Sequence, residues 1–269
     1  MAPVTFDGDS RDPRALEHFY RSFHGAPWRQ AKTEFLSDPL NARRTALILE
    51  RLERVAPDSL LDAGCGGGVL AGMFAERNPG AQCYGLDLNP PSQGTENLAF
   101  IAGDIRALPF GDGALQCAVC SETLEHLADP DRALHELRRA LAPGAHLLIT
   151  VPNLFCLDSI EGRTGMFRAA GRALRRAGVT SRFRNGINTH LQKLPPWAWE
   201  KIITLQGFAV EYQQPVYIFP YIPYFIGPAK ALEKKLLSPE PAARALRALD
   251  GALRFAPLGQ LHFFECSKR

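Results

Sequence analysis

A glycine-rich turn follows a short apolar run near residue 60, and its residue types suit nucleotide binding. The run is Ser59–Ala63, and the turn reads Asp62-Ala63-Gly64-Cys65-Gly66-Gly67-Gly68. Glycine permits a tight turn and lets the backbone approach a ligand closely. Asp87 ends the next predicted strand, 25 residues after Asp62, where an acidic side chain can bind two ribose hydroxyls. The turn lacks the third glycine of GxGxxG, which disfavours a nicotinamide cofactor.

A second ligand-directed turn lies further along the chain. Ala102-Gly103-Asp104-Ile105 follows a predicted strand, so the Asp104 carboxylate can accept from an adenine amino group while Ile105 lies against the ring. The carboxyl ends of parallel strands meet at one edge of a sheet, so the two turns and Asp87 mark a single crevice. A purely structural glycine turn would explain the first turn alone, but not the whole set.

Alternating strands and helices must position these turns. The sequence predicts strands near 59–63, 81–88, 98–102, 115–121, 145–151, 208–212 and 261–265, with helices near 41–55, 130–141 and 194–206 among others. This alternation predicts an α/β fold, a seven-stranded and mostly parallel sheet with helices on both faces. The first forty residues are predicted to form short helices.

Composition excludes several classes of protein. The 269 residues are 46% hydrophobic and 22% charged, which is ordinary for a globular chain and excludes a disordered one or a coiled coil. A net charge of +3 is too small to imply nucleic acid by itself. No signal peptide is visible, and the longest uncharged stretch, 212–229, holds four prolines, which a simple spanning helix would not tolerate. Six scattered cysteines, including Cys117 and Cys120 on opposite faces of one predicted strand, indicate reduced thiols, and we expect a cytoplasmic protein.

The motif set resembles the class I S-adenosylmethionine-dependent methyltransferases. The strings LLDAGCGGG, GLDL, AGDI, LQCAVCSETLEHL and APGAHLLITVPN follow that family's motif order. The resemblance is strong over residues 40–151 and weaker over 190–266. It implies a Rossmann-like fold, an enzyme, and S-adenosyl-L-methionine as cofactor.

The resemblance also implies roles for individual residues. Gly64 and Gly66 would pack against the methionine part of the cofactor, and Asp87 would bind its ribose. Arg44 falls where an arginine for the cofactor carboxylate would lie, although a solvated helix face explains it equally well. The full predicted cofactor set comprises Arg44, Asp62, Gly64, Cys65, Gly66, Asp87, Leu88, Asp104 and Ile105, with Ser121 and Glu122 lining the pocket floor.

One departure from the family concerns the link between Asp87 and Asp104, where a helix is usual. Here residues 89–96 contain two prolines and a glycine, so we predict that the helix is shortened or lost. The adenine side of the pocket would then be more open.

The cluster Glu122-Thr123-Leu124-Glu125-His126 holds the candidate catalytic residues. Its E-x-x-E-H pattern resembles the ubiquinone-biosynthesis O-methyltransferases. A hydroxyl acceptor benefits from a base at neutral pH, so we predict His126 as general base with Glu125 orienting it. Two alternatives stay open. His126 has only a structural role, or Glu122, Glu125 and His126 bind a divalent cation, although our prediction is a site without metal. His190 is a second candidate base.

Two further segments suggest what the protein touches. Seven arginines lie within 154–190, interleaved with apolar residues, which suits an anionic membrane surface; phosphate binding and a solvated helix face are the alternatives. The aromatic and proline-rich stretch 212–229 is predicted to wall an apolar substrate pocket or to touch lipid.

These inferences combine into a domain and function prediction. Residues 1–40 form an N-terminal helical extension, and residues 41–269 form a methyltransferase domain with an insertion at 153–190 and a lid at 212–229. The predicted function is O-methylation of a small apolar or lipid-linked acceptor, with a peripheral membrane contact and no nucleic acid. An RNA or protein methyltransferase is one alternative. A non-enzymatic cofactor-binding protein is the other, and the intact motif residues argue against it.

Overall fold

The computed structural model describes residues 12–22, 28–155, 190–192, 194–218, 235, 240–254 and 259–269. The predicted insertion at 153–190 and the predicted lid at 212–229 therefore lie largely outside the described residues. The strands are β1 Ser59–Ala63, β2 Gln82–Asp87, β3 Leu98–Ala102, β4 Leu115–Ser121, β5 Leu141–Pro152, β6 Phe208–Val216 and β7 Leu261–Lys268. The helices are α1 Pro13–Ser22, α2 Trp28–Leu36, α3 Pro39–Val55, α4 Val69–Arg77, α5 Pro130–Ala140, α6 Pro196–Leu205 and α7 Glu240–Ala252, with a short 3₁₀ turn at Leu124–His126.

The seven strands form one sheet in the order β3-β2-β1-β4-β5-β7-β6. Strands β1 to β5 pair in parallel, whereas β7 runs antiparallel to both β5 and β6. The predicted mixed, mostly parallel sheet is confirmed. The pairing of Ala63 with Leu86 and of Asp87 with Ala102 brings the carboxyl ends of β1, β2 and β3 to the same edge. The predicted crevice is therefore at that edge.

Side chains at the helix starts explain several of the boundaries. Asp38 precedes Pro39 and accepts from the backbone N–H groups of Leu40 and Asn41, and so caps α3. Asp129 caps α5 in the same way through the Arg132 N–H. Carboxylates at these positions satisfy donors that have no partner inside the helix.

Two apolar clusters cover the two faces of the sheet. One gathers residues of α5 and α6 such as Leu134 and Trp199, and the other gathers residues of α3 and α4 such as Leu52 and Phe74. Alternate residues of β4 enter different clusters, which places Cys117 on one face and Cys120 on the other. Both thiols are fully buried and free. The prediction of two core thiols on opposite faces of the strand is confirmed.

Two segments between strands refine the predictions. Residues 88–97 contain no helix and only an isolated bridge between Thr95 and Leu98, so the predicted loss of the family's helix is confirmed. Strand β5 begins at Leu141, earlier than predicted, because the expected turn at Gly144 (φ 74°) is a left-handed bend inside the strand. None of the helices in the described ranges has the length and apolar character needed to cross a membrane.

Candidate functional site

The glycine turn after β1 is tied to the neighbouring strand. The backbone N–H groups of Gly64 and Cys65 both donate to the Leu86 carbonyl, at 2.7 and 3.0 Å. Gly64 has φ +81°, and a Cβ built there would lie 2.3 Å from the Thr123 hydroxyl oxygen. No side chain fits this position, so glycine is required. Gly66, in contrast, has no atom within 4 Å of its Cβ position, which leaves room beside its backbone for a ligand.

Asp87 is fixed by the turn that it faces. Its Oδ2 accepts from the Gly66 N–H at 2.9 Å, and its Oδ1 accepts from the Asn89 N–H at 3.3 Å. Each carboxylate oxygen has two lone pairs, so one on each oxygen stays available to a ribose hydroxyl. The side chain lines the cavity at the strand edge. This geometry fits the predicted role in ribose binding.

A cavity of about 260 Å³ opens at the carboxyl edge of the sheet. Of the predicted site residues, those that line it are Gly64, Gly66, Asp87, Leu88, Asp104, Ile105, Glu122 and His126. The other predicted site residues are not among those that line the cavity, and these are Arg44, Asp62, Cys65, Ser121 and Glu125. Apolar side chains complete much of the wall, among them Leu86, Pro91 and Leu127.

Asp62 and Ser121 support the wall from behind. Asp62 is 3% exposed, and its Oδ2 accepts from the Ala71 N–H at 3.3 Å, which joins β1 to α4. Burial raises the pKa of this carboxyl to about 7. The Ser121 hydroxyl is bonded to the Thr150 hydroxyl at 2.8 Å, so at the floor it is Glu122, not Ser121, that reaches the cavity.

Arg44 is not on a solvated helix face. Its side chain is only 12% exposed, it donates to the Asn41 amide oxygen at 3.0 Å, and its Nη1 lies 3.8 Å from the Glu122 Oε2. The guanidinium therefore lies beside the acidic cluster, where it partly balances Glu122. This contact makes an electrostatic role at the site more plausible than the solvated alternative.

The predicted adenine residue Asp104 already has a cationic partner. The Arg106 guanidinium donates to both Asp104 oxygens, with Nη2 at 2.6 Å from Oδ2, and Arg106 also reaches Glu17 on α1 at 3.3 Å. Partial burial opposes ionisation, but the Arg106 hydrogen bonds outweigh it and hold the pKa of Asp104 below its usual value. Any bond from Asp104 to an adenine amino group must therefore use a lone pair that Arg106 leaves over.

The predicted catalytic residues lie on the 3₁₀ turn after β4. The Nδ1 of His126 is 3.2 Å from the Tyr20 hydroxyl, and its Nε2 is 3.6 Å from Glu125 Oε1. Glu125 is fully buried, and neither of its oxygens has a hydrogen-bond partner among the described residues. The two side chains that the sequence predicted to act together are therefore neighbours, and the orientation of His126 by Glu125 stays a prediction.

Burial dominates the titration of both glutamates. It raises the pKa of Glu125 to about 8, and burial together with the neighbouring Glu125 raises the pKa of Glu122 to about 8. A positive charge on His126 would stabilise the ionised form of either group. The cluster can therefore accept a proton on the imidazole and balance the charge with a carboxylate.

His190 joins this cluster from a distant part of the sequence. The backbone N–H groups of Leu191 and Gln192 donate to the Glu125 carbonyl at 2.7 and 2.9 Å. The His190 ring consequently lies 5.0 Å from that of His126, centroid to centroid. One potential ligand atom each from Glu125, His126 and His190 lies within 4.8 Å of the others, so these three residues could hold a metal ion. The trio that the sequence suggested contained Glu122 in place of His190.

Sequence reasoning missed the contribution of helix α1. Pro13, Glu17 and Tyr20 line the cavity opposite the glycine turn, and so does Arg106. Glu17 and Tyr20 are three residues apart and therefore share a helix face. Their spacing was visible in the sequence, but it indicates only an amphipathic helix and not the surface against which that helix packs.

The chain is similar to known methyltransferases. Residues 31–213 match a family model described as a methyltransferase domain. The demethylmenaquinone methyltransferase of Thermus thermophilus is 40% identical over 120 residues, which cover 41% of this chain and 53% of that protein. A ubiquinone biosynthesis O-methyltransferase of Cupriavidus pinatubonensis is 27% identical over 158 residues, which cover 54% and 61%.

A solved structure shows the same fold. The N-methyltransferase NodS of Bradyrhizobium japonicum WM9, in complex with S-adenosyl-L-homocysteine, has a TM-score of 0.53 at 14% identity, over 97% of this chain and 99% of that chain. The likeness at this identity concerns the fold alone. Against the two curated relatives above, the chain spans little more than half of their length.

Proposed function

The chain belongs to the class I S-adenosylmethionine-dependent methyltransferases, and from this premise we propose that it methylates a hydroxyl group of a small apolar or lipid-linked acceptor. The observation that carries the proposal is that Gly66 and Asp87 face the same cavity as Glu122 and His126. The residues proposed to bind the cofactor and those proposed to transfer a proton thus line one cavity. The quinone-related names of two relatives support an apolar acceptor that carries oxygen.

In this proposal the cofactor is held at the strand edge. Gly64 and Gly66 let the backbone approach its methionine part, Asp87 accepts from the two ribose hydroxyls, and Asp104 and Ile105 lie beside adenine. Arg44 contributes through Glu122, with which it pairs at the pocket floor. Bound there, S-adenosylmethionine would supply a methyl group activated by a positively charged sulfur, which would leave as the neutral thioether.

The protein's own contribution is to position the acceptor and to accept its proton. His126 takes the proton, and the buried Glu125, whose Oε1 lies 3.6 Å away, ionises more readily beside the imidazolium that results and balances its charge. The apolar wall around Leu86, Pro91 and Leu127 keeps water from the cavity and suits a hydrocarbon ring or chain. Glu122 and Arg44 stay paired throughout.

A methyl-transfer assay tests this proposal. The protein is incubated with S-adenosylmethionine labelled on its methyl group and with a panel of apolar phenols, hydroxyquinones and amines matched in size. We expect the label in O-methyl products from the phenolic members, detected by mass spectrometry, and none from the variant Asp87→Ala at low cofactor concentration. Label found only in the amines would contradict O-methylation, and no label in any product would contradict the proposed acceptor class.

We also propose that the arginine-rich segment 154–190 contacts an anionic membrane surface. Its seven arginines and interleaved apolar residues support this from the sequence. The described residues that flank it add exposed aromatic surface, since Phe155 is 43% and Trp197 57% exposed with ring centroids 5.5 Å apart. Aromatic side chains of this kind suit a membrane–water interface.

Liposome sedimentation tests the membrane contact. The variant Arg172→Glu/Arg175→Glu/Arg176→Glu should no longer sediment with vesicles that contain phosphatidylserine, while its cofactor affinity stays unchanged. The matched control reverses three exposed arginines elsewhere, Arg29, Arg54 and Arg77, and should still sediment. Wild-type protein that stays in the supernatant at low salt would rule out the membrane contact.

A further inference from the structure

We infer that Tyr20 relays the acceptor's hydroxyl proton to His126, and this rests on the O-methylation proposed above. Tyr20 lies on α1, outside the motifs that carry the cofactor, and its side chain lines the cavity. Its hydroxyl lies 3.2 Å from His126 Nδ1. The phenol and the base therefore line the same cavity within hydrogen-bond distance of each other.

Both ring nitrogens of His126 face protein groups. The Nδ1 faces the Tyr20 hydroxyl, and the Nε2 faces Glu125 Oε1 at 3.6 Å. The imidazole ring lines the cavity, and its Nδ1 is the nitrogen within hydrogen-bond distance of the Tyr20 hydroxyl. An acceptor hydroxyl in the cavity can therefore reach Nδ1 through Tyr20 Oη.

The surroundings of Glu125 select the tautomer of His126. Glu125 is fully buried and has no hydrogen-bond partner on either oxygen among the described residues, and His126 Nε2 lies 3.6 Å from its Oε1. A proton on Nε2 points toward this buried carboxyl group and offers it the donor that its oxygens otherwise lack. With Nε2 protonated, Nδ1 is an acceptor, and the Tyr20 hydroxyl is its donor.

This arrangement allows a balanced proton transfer. As the acceptor oxygen forms its new bond to carbon, the electron pair of its O–H bond stays on oxygen and the proton passes to Tyr20 Oη. The proton that Tyr20 held passes at the same time to His126 Nδ1. The phenol is regenerated unchanged, and the imidazolium carries the proton beside Glu125. No charge remains on tyrosine at either end of the step.

Contacts along α1 hold Tyr20 in place for this role. Glu17, three residues earlier on the same face, is 3.3 Å from Arg106, and Arg106 is paired with Asp104 at the strand edge. The Tyr20 ring lies 5.3 Å from the His126 ring and 5.3 Å from the Phe19 ring, centroid to centroid. The helix is thus tied to the same edge of the sheet that holds the cofactor residues.

The variant Tyr20→Phe tests the inference because it keeps the ring and removes only the hydroxyl. We expect kcat to fall about ten- to hundred-fold, the range for loss of one acid–base partner, with KM and cofactor affinity within two-fold of wild type. The matched control is His18→Ala, which changes an exposed residue of the same helix outside the cavity lining and leaves the Tyr20 hydroxyl untouched. That variant should keep the wild-type kcat. A wild-type kcat in Tyr20→Phe would overturn the inference.

Nitrogen NMR of the labelled histidine ring supplies a readout independent of activity. In the wild-type protein we expect His126 as the Nε2–H tautomer, and Tyr20→Phe should shift its Nδ1 resonance toward that of an unbonded nitrogen. A wild-type Nδ1–H tautomer would overturn the inference even if the variant did not fold. If no acceptor is methylated at all, the proposed function fails, and the tautomer still decides the role of Tyr20.

Discussion

Replacing Asp87 by alanine should weaken cofactor binding more than it weakens the fold. The carboxylate accepts from the Gly66 and Asn89 N–H groups and is proposed to accept from two ribose hydroxyls. Hydrogen bonds to a charged group contribute about 1.5–3 kcal/mol each. Two of them at the lower end sum to about 3 kcal/mol, which corresponds to about a hundred-fold loss of affinity.

The cost to the unliganded protein should be smaller. The Gly66 N–H faces the cavity, so water can replace the lost carboxylate there, and the loss should be about 1 kcal/mol. Titration calorimetry with S-adenosylhomocysteine measures the affinity, and thermal unfolding without ligand measures the stability. The variant Asp87→Asn is the matched control because it keeps the size of the side chain and one acceptor oxygen, and it should lose less affinity than Asp87→Ala.

The comparison of these two quantities decides the assignment. An affinity within two-fold of wild type in Asp87→Ala would refute ribose binding by this residue. A large loss of affinity accompanied by an equally large loss of stability would show that Asp87 supports the glycine turn and does not bind the cofactor itself.

Three other substitutions have expected outcomes. Gly64→Ala forces a Cβ to 2.3 Å from Thr123 at φ +81°, so it should lower the unfolding free energy by about 1–3 kcal/mol in denaturant melts. His126→Gln should keep cofactor affinity in calorimetry and lower turnover about a hundred-fold in the methyl-transfer assay; equal turnover would make His126 structural. Glu125→Gln should melt at a higher temperature than wild type at pH 8 but not near pH 4. The raised pKa of Glu125 means that folding favours the protonated form, so stability falls as pH rises from the unfolded-state pKa toward about 8. A pH-independent difference would contradict this.

The part of the site nearest the motifs was predictable from the sequence. A strand, a glycine turn and a helix start are local features, and Gly64, Gly66 and Asp87 lie where their order along the chain implied. The loss of the helix after β2 was also predictable, because two prolines and a glycine in residues 89–96 exclude it by backbone geometry alone. Such features depend only on residues that are close together in the sequence, so a single sequence is sufficient to predict them.

The rest of the site depends on contacts between distant segments. Tyr20 lies 106 residues from His126, and His190 is brought to the cluster only by backbone bonds to Glu125. Neither contact leaves a spacing in the sequence. Asp104 is a different case, because its partner Arg106 is only two residues away, and the sequence does not show which of several neighbours the carboxylate meets. Several groups can pair with one carboxylate, and the packing of the folded chain decides which of them does.

The position of β7 in the sheet has a consequence for the order in which the protein assembles. Strand β7 lies between β5 and β6, and among the described strands β6 pairs with β7 alone. When translation has reached residue 260, the strand that pairs with both β5 and β6 has not yet been made. One edge of β5 is therefore still unpaired, and β6 still lacks β7 as its partner strand. Open edges of this kind are prone to pair with other chains. Closure of the sheet must wait until 261–268 emerge, and a premature stop before them would remove two strands from the sheet at once.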